Sequence, residues 1–151
     1  MKFEAEVKTV KFQNEVQKAH LNLILSASWV RARIAVRLKP YDLTNEQFNL
    51  LRIVRGAMPD CIRIKDINSR MLDHSSNTTR IIDKLEAKQF VERKADIYDR
   101  RSLLVCLTEK GKTLLQEIDL DWANDTPHRS ALLNDEECLL LGNLLDKLRE
   151  G

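Results

Sequence analysis

Between Ser75 and Lys84 the chain reads SSNTTRIIDK, a run in which short hydroxyl and amide side chains stand beside two cations. That mixture can read the edges of nucleic-acid bases. The guanidinium of Arg80 can fork onto a guanine edge, and the amide of Asn77 can pair with adenine. The short side chains of Ser75, Ser76 and Thr79 let a backbone come close to a DNA major groove, with Lys84 beside them.

These groups act together only if something aligns them, and the spacing predicts a helix to about Lys88. Thr78, Ile81, Ile82 and Leu85 recur at helical intervals on one face. Ser76, Arg80, Asp83 and Ala87 then fall on the other, flanked by Asn77, Thr79 and Lys84. Ser75 and Ser76 are suited to cap its first turn, because a serine oxygen can take up an unpaired amide proton there. A preceding helix is read from Ile64, Ile67 and Met71, with the pattern broken from Leu72 to Ser75. Beyond the second helix, Phe90, Val91 and Leu103 to Leu107 are strand-like. The charged segment Lys94 to Arg101 between them makes a hairpin with a basic tip.

At these residues the sequence resembles the MarR family of winged helix-turn-helix transcription regulators. TTRIIDKLEAK, DRRS and LTEKG carry the likeness, and with LTNEQFNLL upstream it covers about half the chain. The resemblance implies a mainly α fold with a small β-hairpin wing (α+β), in which a winged helix-turn-helix is joined to N- and C-terminal dimerisation helices. It divides a single domain, 1–151, into dimerisation helices at 1–39 and 113–151 and a DNA-binding region at 43–112. It implies a homodimeric repressor on a pseudo-palindromic operator in double-stranded DNA. It nominates Ser75, Ser76, Asn77, Thr79, Arg80 and Lys84 for the major groove or its flanking phosphates, and Arg100 or Arg101 for the wing. Many members are released by a small aromatic or lipophilic effector held between the dimer helices and the reading head. Trp29, Trp122 and Arg33 could line such a crevice, but no effector-binding residue is assigned.

Two positions depart from the family pattern. Gln89 stands where Gly is usual after the recognition helix. A left-handed residue there costs about 1–2 kcal/mol without glycine, which predicts a different helix end and a slightly re-aimed wing. Asn68 replaces a common Ala between the two helices and needs a hydrogen-bond partner if buried.

The remaining sequence bounds the function. The 151 residues allow one domain with its own core or a small domain with dimerising extensions, and no second enzyme domain. Net charge is only +2, but it is unevenly spread. Residues 1–59 hold 10 basic and 5 acidic side chains, residues 60–112 hold 12 and 9, and residues 113–151 hold 3 and 9. No GxSxG, P-loop, GxGxxG or HExxH motif is present, so no catalytic residue, cofactor or metal is expected. His20, His74 and His128 are isolated, although His74 lies near enough to the second helix to touch a phosphate. Cys61, Cys106 and Cys138 lack CxxC or Cys/His spacing. Reduced thiols in a soluble cytoplasmic protein are therefore the expectation, with Cys61, which follows the acidic Asp60, an ordinary thiol rather than an activated one. No apolar run approaches the roughly 18 residues of a membrane span.

Taken in order, Glu4 to Leu38 reads as one long helix, broken near its start and ended by Pro40, with Lys39 biased toward extended geometry. Thr44 and Gln47 form a capping box for a helix with core residues Phe48, Leu51, Ile53 and Val54. Cys61 and Ile62 add a short strand to the wing. Thr108 caps a helix carrying Leu115, Ile118 and Trp122, NDTPHR breaks it, and Asn134 with Glu137 opens the last helix. Leu140, Leu141, Leu144, Leu145 and Leu148 form a stripe there that suits a dimer interface, against which stands an intramolecular core. The rival reading is a winged-helix protein-interaction module without specific DNA binding.

Overall fold

The computed structural model describes residues 2–99, 102–124 and 133–150. The chain forms two compact units, Met1–Lys112 and Thr113–Gly151. In the first, α1 (Phe3–Val7) and α2 (Glu15–Leu38) are followed by a 3-10 turn at Lys39–Tyr41 and by α3 (Asn45–Gly56). Then come β1 (Ile62–Arg63), α4 (Ile64–Arg70), α5 (Thr78–Ala87), β2 (Val91–Ala95) and β3 (Leu103–Leu107). Helix α6 (Glu109–Asn124) starts in this unit and runs into the second, which also holds α7 (Asp135–Arg149). The fold is therefore mainly helical with a small antiparallel sheet of order β1-β3-β2, as the sequence led one to expect.

The sheet is a hairpin with an added edge. Val91 to Ala95 pair with Leu107 to Leu103, and the short β1 sets Ile62 opposite Val105 and Arg63 opposite Leu104. Against it lies an apolar core of Leu50, Leu51 and Val54 from α3, Ile67 from α4, and Ile82 and Leu85 from α5, all with no exposed surface. Burying each such side chain contributes about 1.5–3 kcal/mol. Helix α3 packs on α2, α4, α5 and β3, which makes it the post around which the reading head is assembled.

The helix boundaries follow from local chemistry. The Thr44 hydroxyl accepts from the Gln47 amide while the Gln47 side chain accepts from the Thr44 amide, each at 3.2 Å, completing the expected capping box. Asn134 and Glu137 do the same for α7 at 2.9 and 2.8 Å. The break near the start of the first long helix falls between α1 and α2, where Asn14 accepts from the Gln17 amide. Lys39 corrects an expectation: it is helical rather than extended (φ −56°, ψ −42°), because Pro40 enters the opening of a 3-10 turn, where its missing N–H has little to donate to. Thr108 does cap α6, accepting from the Gly111 amide at 3.0 Å. Most of the expected NDTPHR break lies outside the described residues.

Gln89 departs from expectation in the opposite sense. Its φ of 62° is left-handed, so the chain takes the turn that glycine would have taken and the end of α5 is unaltered. The Phe90 amide reaches back to the Leu85 carbonyl at 2.9 Å and the Gln89 amide to that of Glu86 at 2.8 Å, a Schellman ending. These bonds and the strand that follows fix the conformation despite its cost.

The expectation of reduced thiols fails at two positions. Cys61 and Cys106 form a disulfide, with Cα atoms 4.6 Å apart across 45 residues of sequence, while Cys138 is free and exposed. Local cysteine spacing carries no sign of this pair, because the register of β1 on β3 is what brings the two together.

Replacing Gln89 with glycine relieves a left-handed side chain and is expected to stabilise the fold by about 1 kcal/mol. Urea unfolding with an unchanged m-value measures it, and an unshifted midpoint would show that Gln89 carries no strain.

Candidate nucleic-acid interface

Helix α5 presents the predicted face. Thr78, Ile82 and Leu85 are buried and Ile81 is half-buried, which leaves Asn77, Thr79, Arg80 and Lys84 exposed. Ser75 is exposed and Ser76 half-buried in the turn before it. The turn thus brings six nominated residues into one stretch of surface. Arg100 and Arg101 lie outside the described residues.

The cap of α5 is Asn77 rather than Ser75 or Ser76. Its Oδ1 accepts from the Arg80 amide at 3.1 Å. The serines are held by the turn instead: Ser75 donates its amide and hydroxyl to Asp73 Oδ1 at 3.0 and 2.5 Å, and the Ser76 amide donates to the Asp73 carbonyl at 3.2 Å. The Ser75 hydroxyl and amide hold the Asp73 carboxyl below the usual carboxylate range. Arg31 of α2 lies 3.6 Å from Asp73 and 3.3 Å from Glu46, and Asn49 of α3 accepts from the Leu72 amide at 3.0 Å. The turn is thereby pinned from two other helices. Asn68 meets its requirement for a partner by accepting from the buried Thr78 hydroxyl at 2.7 Å, which ties α4 to α5.

Three further arginines, none of them nominated from sequence, set the geometry. Arg93 of β2 reaches to Asp83 at 2.5 Å and to Glu86, both on α5, and its amide donates to Glu86 at 3.1 Å. The wing and the helix are thus bound through one side chain that is mostly buried. Arg63 of β1 donates through Nε (3.0 Å) and a terminal nitrogen (2.7 Å) to Asp96, where the wing strand ends. Asp96 is only 3 % exposed, and its other oxygen accepts from the Tyr98 amide at 2.9 Å. The Tyr98 amide, then the Arg63 guanidinium, keep its carboxyl below the usual range, so the clamp is ionised at neutral pH. Arg31 is the third, at the turn described above. In sequence each is one more surface arginine; only long-range pairing separates it from its neighbours.

Among the described residues Arg80 and Lys84 make no ion pair, and no group of His, Cys, Asp and Glu could hold a metal ion. No described helix is long and apolar enough to cross a membrane.

Replacing Asn77 with alanine should cost about 1 kcal/mol through loss of the cap. Asn77→Asp keeps a capping oxygen and should keep stability, yet weaken duplex binding by setting a carboxylate against phosphate. Urea melts and a binding titration on the same two variants separate capping from contact with DNA; equal binding by Asn77→Asp and the parent would place residue 77 away from DNA.

Comparison with known proteins bears on the sequence and the fold. Residues 43–103 match the family model "MarR family". The chain is 27% identical over 132 residues to the HTH-type transcriptional regulator MhqR of Bacillus subtilis, covering 85% of this chain and 88% of that one. It is similar in structure to a cysteine-to-serine mutant of E. coli MarR complexed with operator DNA (TM-score 0.75, 27% identity, 91% of this chain and 98% of that chain). AbsC, a MarR family transcriptional regulator from Streptomyces coelicolor, shares the fold (TM-score 0.78, 21% identity, 93% and 97% of the two chains). A cap, a pinned turn and a wing clamped to the exposed face of α5 thus occur in a chain that matches the MarR family model over residues 43–103 and is similar in sequence and in fold to MarR-family transcriptional regulators.

Proposed function

We propose that this protein is a homodimeric, sequence-specific double-stranded DNA-binding repressor acting in the cytoplasm. The observation that carries the reading is how charge is distributed around α5. Asp73, Asp83, Glu86 and Asp96 are each engaged by a basic side chain of the same unit, while Arg80 and Lys84 are left exposed beside Ser75, Ser76, Asn77 and Thr79. Carboxylates that would repel phosphate are thus neutralised within the fold, and the exposed cations are placed for an anion outside it. The family resemblance adds Arg100 or Arg101 for the minor groove.

Dimerisation, with residues 1–39 and 113–151 supplying the interface, is supported by apolar side chains left bare along α2 and α7. Ile24 is 63% exposed, Trp29 58%, Leu140 59% and Leu144 55%. A second copy would cover such surface. Two recognition helices related by a two-fold axis would enter successive major grooves about 34 Å apart.

Release by an effector completes the reading. An open depression of about 640 Å³ lies between α2, α3 and α5, with Leu43 and Ala87 on its wall beside Lys39 and Lys84, and with the one carboxylate there, Asp42, paired to Lys88 at 2.8 Å. A small organic acid suits that combination. Trp29, Trp122 and Arg33 do not line it. Differential binding worth about 1–3 kcal/mol, roughly 5–150-fold in affinity, would release DNA.

Selection of bound duplexes from a random pool is expected to yield an inverted repeat with half-sites about one helical turn apart. Recovery of no sequence, with binding that is insensitive to salt, would favour the protein-interaction reading. On the selected duplex, Arg80→Ala should lose about 1–3 kcal/mol and relax preference at one base position. An equal loss on every sequence would assign Arg80 to phosphate instead. Arg101→Ala should flatten the salt dependence by a slope of about 0.9 for each phosphate it no longer neutralises; an unchanged slope would remove Arg101 from the interface.

A further inference from the structure

The Cys61–Cys106 bond is the one covalent link across the reading head, and its position gives it a task. Ile62 lies opposite Val105, so the same antiparallel register sets Cys61 opposite Cys106 immediately beyond β1. The Cα separation of 4.6 Å is that of a pair whose side chains abut between strands. The same backbone therefore accommodates two thiols or one disulfide. The pair brackets α4, the turn, α5, β2 and the wing, so the loop it closes is the DNA-reading apparatus itself.

What the bond secures is β1. That strand is two residues long and lies at the edge of the sheet. It carries Arg63, whose two donors hold Asp96 at the start of the wing tip. With the disulfide closed, β1 is covalently fixed to β3 and the Arg63–Asp96 clamp has a rigid base. With it open, a two-residue pairing and the clamp must hold one another. Cys61 is half-buried and Cys106 is 6% exposed, so an outside sulfur meets Cys61 first.

We propose that Cys61 and Cys106 form a reversible thiol–disulfide couple that sets the order of the wing, and through it the affinity for DNA. The inference rests on the reading of this protein as an intracellular DNA-binding regulator, because disulfides in that compartment are usually transient or redox-sensing rather than structural. The oxidant is a small-molecule disulfide such as oxidised glutathione. The Cys61 thiolate attacks one of its sulfurs, forming a mixed disulfide and expelling one glutathione thiolate. The Cys106 thiolate then attacks the Cys61 sulfur, closing the protein disulfide and expelling the second. Two protein thiols lose two electrons and two protons, and one oxidised glutathione becomes two reduced molecules. Reduction reverses both steps, starting at the accessible Cys61 sulfur.

The test uses the full chain with Cys138→Ser, which removes the exposed third thiol. It is equilibrated in glutathione buffers of graded ratio, and the thiols are trapped by alkylation and counted by mass spectrometry. Amide exchange at Arg63, Asp96 and Tyr98 is followed in both states, together with affinity for the selected duplex. The couple is expected to interconvert, with the reduced chain still melting cooperatively, wing amides exchanging about tenfold faster and duplex affinity falling at least about fivefold. A chain that stays wholly oxidised or wholly reduced across the buffers would overturn the proposal. So would unfolding on reduction, or interconversion without any change at the wing. A Cys61→Ser, Cys106→Ser variant in the same background must match the reduced state in every buffer; wing exchange like that of the oxidised chain would also overturn it. Because trapping and amide exchange need no DNA, failure to recover a duplex bears on the proposed function alone.

Discussion

One guanidinium makes the helix and the wing a single object. Arg93 lies on β2 yet spends its donors on Asp83 and Glu86, a turn apart on α5. Bonds of this kind, between ionised groups, are stronger than neutral ones and fix direction as well as distance. Without Arg93 the helix face and the hairpin would be joined by the short connection after Ala87 and by apolar packing, which tolerates sliding. With it, any partner that aligns one element aligns the other. The same pairing removes Asp83 and Glu86 as free negative charges beside the exposed cations of α5.

Much of this was legible in the sequence because it is written in short-range terms. Apolar residues at 3.6-residue spacing located α3, α4 and α5, and the reciprocal Thr44/Gln47 and Asn134/Glu137 pairs located two helix starts to the residue. The exposed face of α5 followed from the same periodicity. The failures share one cause. Arg63, Arg93 and Arg31 act through partners 33, 10 and 42 positions away respectively, if Asp96, Asp83 and Asp73 are counted, and periodicity is blind at that range. Cys61 and Cys106 were missed for the same reason. Asn77 in place of the serines was a different error: three consecutive residues all have capping side chains, the Asp73 carboxylate takes Ser75, and of the other two it is Asn77 whose oxygen meets the Arg80 amide.

Buried polar groups show how fully the reading head is specified. Among the described residues Gln47, Thr78 and Asp96 are the buried polar or charged side chains, and each makes a bond that defines a boundary or a junction. Gln47 closes the cap of α3, Thr78 joins α5 to Asn68 of α4, and Asp96 ends the wing strand on Arg63. An unpaired group at any of these places would cost about 1–3 kcal/mol. Polar burial here selects one arrangement of helices that hydrophobic packing alone would leave degenerate.

The end of α5 has a mechanical consequence. A helix leaves its last carbonyls without partners, and here those at and just beyond its end are taken by the beginning of α6. Lys110 donates to the Lys88 carbonyl at 2.9 Å and Thr108 to the Gln89 and Phe90 carbonyls at 2.7 and 3.1 Å, with the Lys110 ammonium over the Phe90 ring. Gly111 closes the joint: a β-carbon there would lie 2.2 Å from the Phe90 carbonyl oxygen, so no larger residue lets the backbones approach so nearly. The first turn of α6 is thus seated directly on the residues that end α5, so a shift of either one must strain these bonds before it can leave the other behind.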